Sequence, residues 1–88
     1  MKGFVYVIRD IKTDKFYVGS TNNIKRRIYQ HFHNHTQTTR IMKVKEVVLI
    51  QEYPNLKMAR NIERKIKNLK RKDYIRKMIS DGFIKLSN

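Results

Sequence analysis

Residues 4–21 read FVYVIRDIKTDKFYVGST, two β-branched and aromatic runs on either side of a polar segment. Phe4-Val5-Tyr6-Val7-Ile8 ends at Arg9-Asp10, and Phe16-Tyr17-Val18 ends at Gly19; both compositions suit a pleated, half-buried surface. Asp10 to Asp14 between them is turn-like, so the pair predicts an antiparallel β-hairpin. Beyond it, Asn22 or Asn23 can cap a helix whose Ile24 and Ile28 share one face, with Phe32 a turn further on. Residues four apart are neighbours on a helix surface, so this helix puts Arg27 beside His31.

The polar stretch HNHTQTTR, residues 33–40, has no period and predicts a loop. Within residues 43–53, Val47-Val48-Leu49-Ile50 is a continuous apolar run, expected of a third strand buried on both faces and therefore central in its sheet. Pro54-Asn55 punctuates, with Asn55 a cap, and Leu56, Ala59, Ile62, Ile66 and Leu69 recur at helical spacing, Glu63 lying just off that stripe. A last helix runs from about Asp73 through Tyr74, Ile75, Met78 and Ile79 and stops near Gly82. The order β-β-α-β-α-α predicts an α/β (α+β) fold, a small three-stranded mixed or antiparallel sheet covered by helices. At 88 residues the chain is read as a single domain, 1–88, with a thin core.

Lysine and arginine number 21 against 7 aspartates and glutamates, a net charge of +14, and residues 57–77 alone hold ten basic residues against Glu63 and Asp73. Such a surface seeks a polyanion, nucleic acid ahead of an anionic membrane surface. The absence of cysteine excludes disulfides and thiolate zinc sites. No apolar run has the length of a membrane span or a signal peptide. The expectation is a soluble, intracellular protein of the cytoplasm or nucleoid.

The predicted elements bring Tyr6, Tyr17, Arg27 and His31 to one edge of the sheet, with Glu63 reaching it from the long helix. These are the parts a phosphodiester hydrolase needs. Arginine offers a planar fork matched to phosphate oxygens, attack by water needs a base, and departure of the sugar oxygen needs an acid or a metal. A carboxylate among so many cations is poised to bind Mg²⁺, a hard ion that keeps most of its waters.

VYV at 5–7, YVG at 17–19 followed by Ser20-Thr21, then Asn23, Arg27 and His31, and later ARNIERKIK at 59–67 closely resemble the GIY-YIG nuclease family, in its small single-domain, UvrC N-terminal-like branch. The chain departs in Phe4-Val5-Tyr6 where the family name implies Gly-Ile-Tyr, and in Val18 for Ile. The resemblance implies a metal-dependent endonuclease of DNA using Mg²⁺ or Mn²⁺. Its catalytic set would be Tyr6, Tyr17, Arg27, His31 and Glu63. Tyr6 would be base or orienting group for the attacking water, Tyr17 a hydrogen-bonding partner to water or phosphate, Arg27 the phosphate contact, and His31 an aid to proton movement or a group that holds Tyr6. Glu63 would be the metal ligand. A phenol ordinarily titrating near pH ~10 would have to be tuned down, by Arg27 and the metal. Gly19 would permit the turn into the helix, built by Thr21 and Asn23. Lys25, Arg26, His33, Arg60, Arg64, Lys67, Lys70 and Arg71 would contact nucleic acid, with a protein partner or DNA structure supplying specificity.

Each residue also has a plainer reading. Tyr6 and Tyr17 could pack across the hairpin; Glu63 could pair with Lys67, Arg60 or Arg64. His31, His33 and His35 are ligand-rich, but only a strand would put them on one side, helix spacing splays them apart, and no fourth ligand is near. The rival functions are a non-catalytic basic nucleic-acid-binding module of the same fold and an RNA- or ribosome-associated protein.

Overall fold

The computed structural model describes residues 2–33 and 45–86, with the side chains of 31–33 left aside. Strand β1 (Gly3–Asp10) turns into β2 (Lys15–Thr21), helix α1 (Ile24–His33) follows, then β3 (Lys45–Tyr53), α2 (Leu56–Leu69) and α3 (Lys72–Asp81). The order is the predicted β-β-α-β-α-α. All pairings are antiparallel, and the sheet order is β2-β1-β3.

The predicted centrality of β3 is therefore corrected: β1 is the middle strand. Nor is the 47–50 run buried on both faces: a continuous apolar run does not by itself say which faces are covered or which strands flank it. Phe4–Ile8 is such a run too, and Val5, Tyr6, Val7 and Ile8 are between 0% and 4% exposed, whereas Ile50 at the β3 edge is 47% exposed. The register slips between Val7 and Ile8, where Leu49 and Val47 are successive partners. Val48 is thus the extra residue of a β-bulge, and it joins Leu49 against the core.

The core forms on one sheet face, where Val5, Val7 and Leu49 meet Ala59, Ile62 and Ile66 of α2, Met78 of α3 and Ile84 beyond it. Full burial of a valine- or isoleucine-sized side chain contributes about 1.5–3 kcal/mol. The predicted stripe of α2 is what makes it dock. Gln51 of β3 ties down the chain's last described segment: its Oε1 accepts from the Ile84 amide at 2.6 Å.

The turns have local causes. Asp10 Oδ1 accepts from the amides of Lys12 and Thr13 at 3.0 and 3.2 Å, and Asp14 closes the loop in the left-handed region at φ 58°. Arg9 and Arg76 both pair with Asp14, which fastens the hairpin tip to α3. Their hydrogen bonds hold the Asp14 carboxyl below its ordinary range, Arg9 contributing most. Gly82, at φ 82°, caps α3 as predicted, donating its amide to the carbonyls of Met78 and Ile79. At the other end of the helical pair, Asn55 Oδ1 accepts from the Met58 amide at 2.9 Å, the predicted cap of α2. Asn55→Ala removes that acceptor and lowers stability by about 1 kcal/mol, to be read as a lower urea midpoint at unchanged slope.

Candidate active site

The site is built across the outer edge of β2. Tyr6 stands opposite Gly19 in the β1–β2 register, so its side chain and the position of a Gly19 Cβ lie on the same sheet face. A Cβ on Gly19 would collide with the Oη and Cζ of Tyr6. The phenol end therefore occupies the space that any other residue would fill. Gly19 is not the expected start of a turn: β2 continues to Thr21, and the glycine is there because the Tyr6 ring crosses it.

The next residue faces the other way. Ser20 Oγ donates to Glu63 Oε1 on α2, and Lys67 Nζ, one helical turn further, lies 2.6 Å from Glu63 Oε2. Burial is the largest single influence on Glu63 and raises its pKa. The hydrogen bonds from Lys67 and Ser20 and the charges of Lys67 and Arg60 together outweigh it, holding the carboxyl below its ordinary 4.5. Glu63 is an anion at neutral pH, with 20% of its side chain exposed.

Helix α1 starts where β2 stops. Buried Thr21 accepts from the Asn23 amide at 3.1 Å, and Asn23 Oδ1 accepts from the Arg26 amide at 3.1 Å, so Asn23 is the cap. This sets Arg27, exposed, close enough for its charge to act on Tyr6. Burial raises the Tyr6 pKa most; Arg27 lowers it, Glu63 raises it and Lys67 lowers it, and the net shift is upward from 10.0. The expectation that Arg27 helps tune this phenol below 10.0 is corrected to this extent: its charge lowers the value but does not offset burial. Tyr6 is 4% exposed, and withdrawing a phenolate from water outweighs the nearby cations.

Tyr6, Arg27 and Glu63 thus share one electrostatic neighbourhood. Tyr17 is on β2 two residues before Gly19 on the same face, 42% exposed, with Lys45 Nζ 4.3 Å from its ring centroid. It lies mid-strand, not at the strand's end. The side chains of His31 and His33 lie outside the described residues, as does His35. Lys25, Arg26, Arg60, Arg64, Lys67, Lys70 and Arg71 are all exposed. Among the described residues no three His, Cys, Asp or Glu side chains gather to hold a metal, so Glu63 is a lone carboxylate. Sequence reading did not single out Ser20, and it mistook Gly19. Nothing in the spacing links residue 20 to residue 63, and the signal for Gly19 was its place after the second strand's tyrosine.

The chain matches the GIY-YIG catalytic domain family over residues 2–78, and it belongs to that family, one of nucleases. Its fold resembles the solution NMR structure of the UPF0213 protein BH0048 from Bacillus halodurans, with a TM-score of 0.59 and 25% identity, covering 93% of this chain and 87% of that one. No curated protein sequence matches the chain. Among the described residues no helix is long and apolar enough to cross a membrane.

Two measurements check this arrangement. In an alkaline absorbance titration read as the difference from a Tyr6→Phe variant, Arg27→Gln moves the Tyr6 transition to higher pH and Glu63→Gln moves it lower. The raised value also makes Tyr6's contribution to stability complete below pH 10.0 and lost as pH rises through the folded pKa. Separately, Gly19→Ala destabilises the parent by about 1–3 kcal/mol through overpacking and costs much less in a Tyr6→Ala background, a coupling that denaturation of the four proteins would measure.

Proposed function

We propose that the chain is a divalent-metal-dependent endonuclease that hydrolyses DNA phosphodiester bonds, and that residues 1–88 work as one domain in a soluble, intracellular setting. The observation that carries this reading is an ionised Glu63, oriented by Ser20, in the same neighbourhood as a buried phenol and an exposed arginine. An isolated acid in an i,i+4 pair would need neither Ser20 nor Tyr6.

In this mechanism Arg27 grips the scissile phosphate and offsets the charge that develops as water attacks. Tyr6 keeps its proton at neutral pH, so its hydroxyl orients the attacking water. Tyr17, on the same sheet face, hydrogen-bonds to water or phosphate, and His31 moves a proton. Glu63 would hold Mg²⁺ or Mn²⁺ through its carboxylate, a hard oxygen donor suited to such an ion. Such an ion would supply Lewis-acid stabilisation of the charge that develops on the phosphate. Lys67 pairs with one oxygen of that carboxylate and offsets its charge. The exposed cations of α1 and α2, Lys25, Arg26, Arg60 and Arg64, together with His33, hold the backbone. Cleavage follows DNA structure or a protein partner, since a backbone grip carries no base sequence.

End-labelled single-stranded, duplex, flap and branched DNA, incubated with Mg²⁺ or with chelator, test the reading. Product appears with Mg²⁺ alone, is abolished in Glu63→Ala and falls about 10²–10³-fold in Arg27→Ala, with circular dichroism showing both variants folded. Salt-sensitive binding without product on any substrate would instead identify a non-catalytic module.

A further inference from the structure

The hydrolytic residues leave one large feature of the same edge unused. A cavity of about 480 Å³ lies between Lys15–Val18 of β2, the last turn of α2 and the first turns of α3. Its floor is apolar: Ile66 is buried there, and Phe16, Val18 and Ile75 pack against the core beside it. Its rim is cationic, with Lys15, Lys67, Lys70, Arg71 and Lys72 all exposed around it. Tyr17, 42% exposed, also lines it. Lys67 lines this cavity and also pairs with Glu63, so the cavity opens directly beside the candidate active site.

Lysines on an edge strand can serve simply to discourage sheet-to-sheet pairing. Lys15 alone on β2 would meet that need. Lys70, Arg71 and Lys72 come instead from the joint between two helices and converge over the apolar floor. Among the described residues no acid pairs with Lys15, Lys70 or Lys72. Lys70 holds the left-handed C-cap of α2 at φ 53°, a conformation glycine adopts at lower cost.

We propose that this cavity takes an unpaired nucleotide of the bound strand, its base over the floor and its phosphates against the rim. Charge complementarity selects a polyanion, and the floor selects among polyanions. A duplex offers phosphates but keeps its bases stacked, whereas an unpaired strand presents a π-face and a phosphate together. The substrate class that follows is DNA with a single-stranded stretch beside the cut. The proposal rests on the nuclease reading for where the cut falls, not for the binding itself.

The test is fluorescence anisotropy with the Glu63→Ala protein in chelator, so that nothing is cut. The probes are an oligothymidylate, an abasic strand with the same number of phosphates, a blunt duplex, and thymidine monophosphate as competitor. The oligothymidylate binds about tenfold more tightly than the abasic strand, the scale of one stacked base, and outcompetes the duplex at equal phosphate. Lys15→Gln/Lys70→Gln flattens the slope of log affinity against log salt by about 1.4 for the single strand. Ile75→Gln, checked for folding, narrows the gap between thymidylate and abasic strands. Equal binding of those two strands, or an unchanged salt slope in the double variant, overturns the proposal. Competition by the monophosphate at concentrations no higher than the oligomer's overturns it in favour of a free nucleotide. If the parent chain shows the expected binding pattern yet never cleaves with Mg²⁺, the cavity assignment stands and the nuclease reading falls.

Discussion

The crossing of Tyr6 over Gly19 is the contact on which the site depends. One missing Cβ lets a phenol from the central strand reach the free edge of β2, where a side chain from the opposite face can meet it. Strand alternation then divides the work between neighbours: residue 19 yields space on one face, and residue 20 holds Glu63 on the other. The edge of a three-stranded sheet is the one place where both faces are within reach of a single ligand. An interior strand position would separate the same residues by the thickness of the sheet.

Burial and charge act in opposite senses on the two titrating groups. Burial raises both Tyr6 and Glu63, and at Glu63 it is outweighed by the hydrogen bonds of the Lys67 ammonium and the Ser20 hydroxyl. At neutral pH the carboxyl ends ionised and the phenol ends protonated. The net charge of +14 supplies the background, yet proximity and burial decide the outcome: Lys67 acts on Glu63 at hydrogen-bond distance, while the charge of Arg27 does not offset the burial of Tyr6.

The core explains why so short a chain can hold this geometry. The bulge at Val48 sends two adjacent β3 residues to the core, Gln51 pins the Ile84 backbone, and Asp14 ties the hairpin tip to α3 through Arg9 and Arg76. Each links elements distant in the chain on either side of α2. With α2 held against β1 and β2, Glu63 is fixed over the strand edge rather than left on a free helix face.

Much of this was legible in the residues themselves. Hydrophobic period, caps and turn residues act within a few positions along the chain, so the hairpin, Asn55, the α2 stripe and the stop at Gly82 followed from the sequence. The paired tyrosine motifs with Arg27 and Glu63 marked the family. What the sequence did not reveal was every relation set by contact across the sheet. The position of β1 between two partners, the meaning of Gly19, the bond from Ser20 to Glu63 and the upward shift of Tyr6 are examples. A continuous apolar run looks the same in a middle strand as in an edge one. A glycine after a strand looks the same whether it turns the chain or clears room for a ring. Those distinctions arise from which surfaces are brought together on folding and how much water is excluded there, and that was decided by the tertiary structure alone.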